Sequence, residues 1–128
     1  MPKVTWDYAR IPVIVLSAGI FFIFASLYLI PGVCSTQECF IERANNCETA
    51  TLTTGMSALT MRFTTQDCQL SKQVMHVHSS EPVEIKNAFL GSSMECSYER
   101  FNTEHFSKLT TDLDSCDGPL KDAIEQLT

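Results

Sequence analysis

The sequence predicts an α+β chain in two parts. A single N-terminal transmembrane helix comes first. A small disulfide-stapled domain follows, built from a short helix, an antiparallel β-meander and one or two C-terminal helices. Three observations carry this. Apolar residues crowd into one stretch near the N-terminus. All six cysteines, Cys34, Cys39, Cys47, Cys68, Cys96 and Cys116, come after that stretch. The apolar period in the remainder then runs from helical to alternating and back to helical.

Composition alone hides the division. The chain has 128 residues, 45% of them hydrophobic, and a net charge of −6. That length leaves little room for a two-domain enzyme. The acidic balance argues against a nucleic-acid binder, which needs a basic face to displace counterions from phosphates. Split at residue 30, the charge separates. Residues 1–10 carry Lys3 and Arg10 against Asp7, whereas residues 31–128 carry seven Lys/Arg and fourteen Asp/Glu. The inner tail is net +1 and the remainder net −7.

Residues 11–30 read IPVIVLSAGIFFIFASLYLI, without a charge. At about 1.5 Å per residue this helix spans roughly 30 Å, the thickness of a bilayer core. Pro12 falls in the first turn, where its missing N–H costs nothing, and Pro31-Gly32 ends the run. Trp6, Tyr8 and Tyr28 stand where interfacial aromatics belong. A buried soluble helix is disfavoured, because the run is apolar on every face. A cleaved signal peptide competes, but the run exceeds the roughly 7–15 residues of a signal-peptide core. The positive-inside rule puts residues 1–10 in the cytoplasm and residues 31–128 outside it, in a periplasm, at a cell surface or in an organelle lumen. Along the helix, Ala18 and Gly19 are echoed by Ala25 and Ser26 two turns later, a small-residue seam against which another helix can pack.

Six cysteines in a domain this small point to three disulfides in an oxidising compartment. No C-x-x-C pair occurs, which counts against zinc, thioredoxin-like chemistry and c-type haem. Fifteen connectivities are possible. Pairing of nearest neighbours along a compact chain favours Cys34–Cys39, Cys47–Cys68 and Cys96–Cys116. No Asn-x-Ser/Thr sequon occurs, which disfavours a eukaryotic cell-surface receptor and leaves a microbial envelope or an organelle open.

Within the outer domain, Ser35-Thr36-Gln37-Glu38 reads as a Ser-x-x-Glu capping box opening a helix through Cys39, Phe40, Arg43, Ala44 and Cys47. Thr49–Thr54 alternates, Gly55 marks a turn, and Leu59, Met61 and Phe63 alternate with polar residues. Further strands are expected over about Gln73 to His78, from Val83 toward Phe89, and through Met94, Cys96 and Tyr98. Phe106, Leu109, Leu113 and Cys116 fit one helical face capped by Asn102 or Thr103. Pro119 starts a last amphipathic helix with Leu120, Ala123, Ile124 and Leu127 inward.

Chemistry-bearing patterns are sparse. His76 and His78 on one strand face could share a metal, with Met75, Met94 or His105 as further ligands and copper as the natural ion. Two solvated histidines on an exposed strand is the simpler reading. Glu95 with Glu99, or Glu104 with His105, could be drawn as acid/base pairs, though charges at this density usually form a solvated face. No nucleophile elbow or phosphate loop is present. No enzyme activity and no cofactor are implied.

The expected function is therefore architectural: a non-enzymatic, single-pass accessory subunit of a larger membrane complex, its outer domain capping or bridging partner subunits. Its partners are other membrane proteins and the lipid bilayer, not nucleic acid. A surface interaction module or pilin-like filament subunit is the alternative, followed by a periplasmic metal-binding protein using His76 and His78.

Overall fold

The computed structural model describes residues 15–23 and 32–128. The chain divides into two compact units, Met1–Pro31 and Gly32–Thr128. In the first unit residues 15–23 are helical. Val15, Leu16, Ile20, Phe21, Phe22 and Ile23 are each between 53% and 73% exposed. Among the described residues no helix is long and apolar enough to cross a membrane. Residues 1–10 and the rest of the expected span, with Pro12, Ala25, Ser26 and Tyr28, lie outside the described residues.

In the second unit, period-2 alternation produces a sheet with one wet face and one dry face. Its strands are β1 (Ala50–Met56), β2 (Leu59–Gln66), β3 (Gln69–Val77), β4 (Ser93–Ser97) and β5 (Cys116–Asp117). They pair antiparallel in chain order. The helices are α1 (Gln37–Asn45), α2 (Val83–Phe89), α3 (Glu104–Ser107) and α4 (Pro119–Leu127), with a 3₁₀ turn at Leu113–Ser115. The dry face carries Ala50, Leu52, Met61, Phe63, Leu70, Val74, Met94, Cys96 and Cys116, all buried. It is covered by Phe40 and Ala44 of α1, Leu120 and Ile124 of α4, and Phe101 and Phe106. The wet face presents Thr53, Arg62, Gln66, Gln69, Glu95, Ser97 and Asp117.

Four phenylalanines lock the layers. Phe40 meets Phe63, Phe101 and Phe106 edge-on at ring separations of 6.3, 5.2 and 5.7 Å. Phe106 also meets Phe63 at 5.1 Å and Phe101 at 5.2 Å. Such pairs contribute about 0.5–1.5 kcal/mol each beyond the area they bury.

The cysteines pair as Cys34–Cys39, Cys47–Cys68 and Cys96–Cys116. Cys96 and Cys116 are direct cross-strand neighbours. Cys47 sits just past α1 at φ 57°. There its N–H donates to Ala44 C=O (3.1 Å) and the Glu48 N–H donates to Arg43 C=O (2.9 Å), a Schellman ending that usually takes glycine. Its mate Cys68 shares the β2–β3 turn with Asp67, at φ 60° and 51°. Two positive φ values give the type I′ geometry that suits the strand twist. The bridge thus joins two backbone positions that each disfavour a side chain.

Several expectations need correction. The cap of α1 is Thr36, not Ser35; its Oγ1 accepts from Cys39 N–H at 3.3 Å. Gly55 lies within β1, and the turn is Ser57-Ala58, with Ser57 at φ 48°. The third strand begins at Gln69, because the two-residue turn starts it immediately. Val83–Phe89 is a helix, not a strand. Its Val-Glu-Ile-Lys opening alternates, but Pro82 C=O accepts from Lys86 N–H (3.1 Å) and Ile85 and Phe89 fall four apart on the inner side. A strand there would also displace β4 from β3. The long helix expected through Phe106 and Cys116 is broken after Ser107. The run Thr110-Thr111-Asp112 favours helix poorly, Asp112 adopts φ 56°, and Cys116 is held in β5 opposite Cys96. In α4, Leu127 is exposed instead of inward.

Gly118 turns the chain from β5 into α4 at φ 132°, and a methyl there would meet Ser93 C=O at 2.8 Å. We predict that replacing Cys96 and Cys116 together with alanine lowers unfolding free energy by about 3 kcal/mol, the entropy of a loop of this size. Urea titration reads this directly; an unchanged midpoint would refute it.

Candidate functional site

Leu70, Lys72 and Val74 alternate along β3, so strand phase points Lys72 into the dry face with its apolar neighbours. Phe63 and Met94 lie opposite it in the adjoining strands. Lys72 is 0% exposed. Its Nζ donates to the Thr111 C=O at 3.2 Å. Burial pulls its pKa from the ordinary 10.5 to about 8, while the nearby Asp112 carboxylate pushes the other way.

Asp112, next along the chain from Thr111, holds a second buried polar group. His105 is 2% exposed, and its Nε2 lies 2.9 Å from Asp112 Oδ2. Its Nδ1 lies 3.0 Å from Asn102 Oδ1. The ring stacks on Phe101 at 4.4 Å. Asn102 Oδ1 also accepts from Glu104 N–H (3.0 Å), which starts α3. The same loop is fastened to α1: Asn45 Nδ2 donates to Phe101 C=O (3.0 Å) and Asn45 Oδ1 accepts from Phe101 N–H (2.8 Å). Tyr98 donates from its hydroxyl to Ala44 C=O at 2.7 Å, and burial raises its pKa.

Above this network lies an open concavity of about 510 Å³. Its lining includes Tyr98, Glu99, Arg100, Asn102, His105, Asp112 and Ser115. Both ring nitrogens of His105 are engaged. Ser115 Oγ has one proton to share between the main-chain carbonyls of Ser97 (2.8 Å) and Asp112 (2.7 Å), and it is not paired with an imidazole. The arrangement holds a loop over a buried cation and contains no paired nucleophile and base.

The residues singled out in sequence fare differently. His76 and His78 both lie exposed at the end of β3, beyond a bulge at Met75. His78 Nδ1 is 2.7 Å from Ser80 Oγ. Met94 and His105, suggested as further ligands, are buried at 1% and 2% exposure. Among the described residues no group of three or more His, Cys, Asp or Glu is placed to hold a metal. Glu95 stands on the wet face and Glu99 at the concavity, so they form no pair. His105 is partnered by Asp112, not Glu104. Ala18 and Gly19 are exposed on the helical residues 15–23, and a methyl at Gly19 would meet nothing within 4 Å.

Lys72 and Asp112 escaped the sequence reading. The phase of Leu70 and Val74 was the available signal for Lys72, masked by starting the strand at Gln73. Asp112 carried no local signal, since its role depends on the breaking of the expected helix.

Together these features define a class: a three-disulfide α+β meander domain with a buried lysine under a clasped loop. No family model, no curated protein and no solved structure matches the chain.

The lysine yields a pH prediction. An unfolded lysine keeps its proton to about pH 10.4, whereas folded Lys72 yields it near pH 8. The unfolded chain therefore binds more protons between those values, and stability rises with pH across that window by about 3 kcal/mol. Lys72→Met should be neutral or stabilising at neutral pH and should lose this rise. Denaturant titrations of both proteins at about pH 7 and about pH 9.5 read the difference; parallel behaviour would contradict it.

Proposed function

We propose that the protein is a non-enzymatic, single-pass accessory subunit of a larger membrane complex. Residues 11–30 would anchor it, with residues 1–10 in the cytoplasm and the disulfide-bonded domain capping or bridging partner subunits on the other side. One observation carries the reading: residues 15–23 are helical and expose six large apolar side chains. Water does not tolerate such a surface on a helix, and lipid or a neighbouring helix does. The exposed Ala18 and Gly19 offer a place for close helix approach. Three disulfides support an oxidising compartment for the outer domain. Its net charge of −7 keeps it from anionic headgroups and favours basic surfaces on partner subunits.

The expected outcome is retention in the membrane pellet through alkaline carbonate washing. After extraction in mild detergent, the protein should migrate on native gels with other subunits, in an assembly larger than two copies of itself. Release by carbonate removes the anchor from this reading. Migration only as a free chain or a pair of chains removes the complex.

A further inference from the structure

We propose that β1 is the interface of a two-fold dimer, its outer edge pairing antiparallel with the same edge of a second copy. This edge is partly used already. Thr51 faces away from β2, donating its N–H to Gly32 C=O (2.6 Å) and accepting from Cys34 N–H (2.8 Å). Val33 is thereby bridged in parallel to Thr51. Backbone groups alternate along a strand, and β1 pairs with β2 without a register shift. Thr53 and Gly55 therefore face outward as Thr51 does. No backbone group among the described residues reaches them.

Edge strands are usually guarded by charge, proline or a bulge. This one has none of them. Residues 49–61 contain no charged side chain, the longest such run in an outer domain of net −7. Two copies of this net charge repel overall and approach at least cost along an uncharged strip, which fits self-association better than docking of a charged partner. Gly55 leaves room for approach, since a methyl on it would meet nothing within 4 Å.

The free groups also fix the register. Gly32 and Cys34 occupy Thr51, so the open positions are Thr53 and Gly55. Antiparallel pairing joins free groups to free groups when Thr53 lies opposite Gly55 of the second copy and Gly55 opposite its Thr53. The two-fold axis then passes at Thr54, which faces its own counterpart. Four interchain hydrogen bonds form. The result is one continuous ten-stranded sheet.

The test uses the full chain produced alone, without the partner subunits of native membranes, and purified in mild detergent. Light scattering across a dilution series should show twice the chain mass falling to one. Directly opposed residues bring their Cβ atoms within about 4.5–5.5 Å, so a Thr54→Cys variant should cross-link spontaneously. Gln73→Cys, on a central strand, should not. Thr54→Lys sets like charges face to face and should abolish the dimer while leaving the melting transition in place. Gly55→Asp, whose side chain enters open space, adds a carboxylate from each copy to one side of the seam and should weaken the dimer if Thr54→Lys fails to fold. A monomer at every concentration overturns the proposal. So does Thr54→Cys cross-linking no faster than Gln73→Cys, or a dimer that survives the folded charge variant.

Discussion

A five-stranded sheet with one dry face must have that face covered, and here a single aromatic junction does most of the covering. Phe40 reaches from α1 to Phe63 on β2 and to Phe101 and Phe106 on the loop leading through α3. Three stretches far apart in sequence converge on one ring. The polar fastenings follow from that convergence. Asn45 can grip the backbone of Phe101, and Tyr98 can reach Ala44, only because Phe40 has seated α1 against the loop. His105 stacks on the same Phe101 ring. Apolar burial sets the arrangement, and directional bonds then select one version of it.

Lys72 is the exception within that face. Its stem can lie among Phe63, Met94 and their neighbours while its ammonium reaches the loop carbonyl of Thr111. Desolvating a cation is costly, and one carbonyl with a carboxylate close by offsets the cost only in part. What the lysine supplies is position. Without helix between Ser107 and Leu113, that loop has few apolar anchors of its own, and the Lys72–Thr111 and His105–Asp112 bonds place it over the sheet. Among the described residues no buried side-chain polar atom is left without a partner.

The parts of the fold legible in sequence were those governed by local period or spacing. The alternation of Leu59, Met61 and Phe63 and the Pro119 start of α4 have short-range causes, whereas spacing alone left fifteen cysteine pairings open and the sheet decides among them. The failures have long-range causes. Val83–Phe89 alternates like a strand, yet the pairing of β3 with β4 leaves no slot for it. Phe106, Leu109, Leu113 and Cys116 are spaced like a helix, yet Cys116 is claimed by Cys96 across a ladder. The Met75 bulge changes the phase of the strand end, which no pattern of side chains announces. Of the polar network, only Lys72 could have been placed from phase. Asp112 and His105 met through a loop conformation that exists because the helix does not.

The order of pairing has one more consequence. Each strand's partner is the next strand along the chain, and each cysteine's mate is the next cysteine. A chain emerging residue by residue therefore never has to hold a thiol in reserve while others pass. An oxidase that merely joins each new thiol to the last unpaired one produces the native set, with no shuffling step. Folding of this domain can therefore follow the chain from its first cysteine to its last wherever an oxidant meets its thiols.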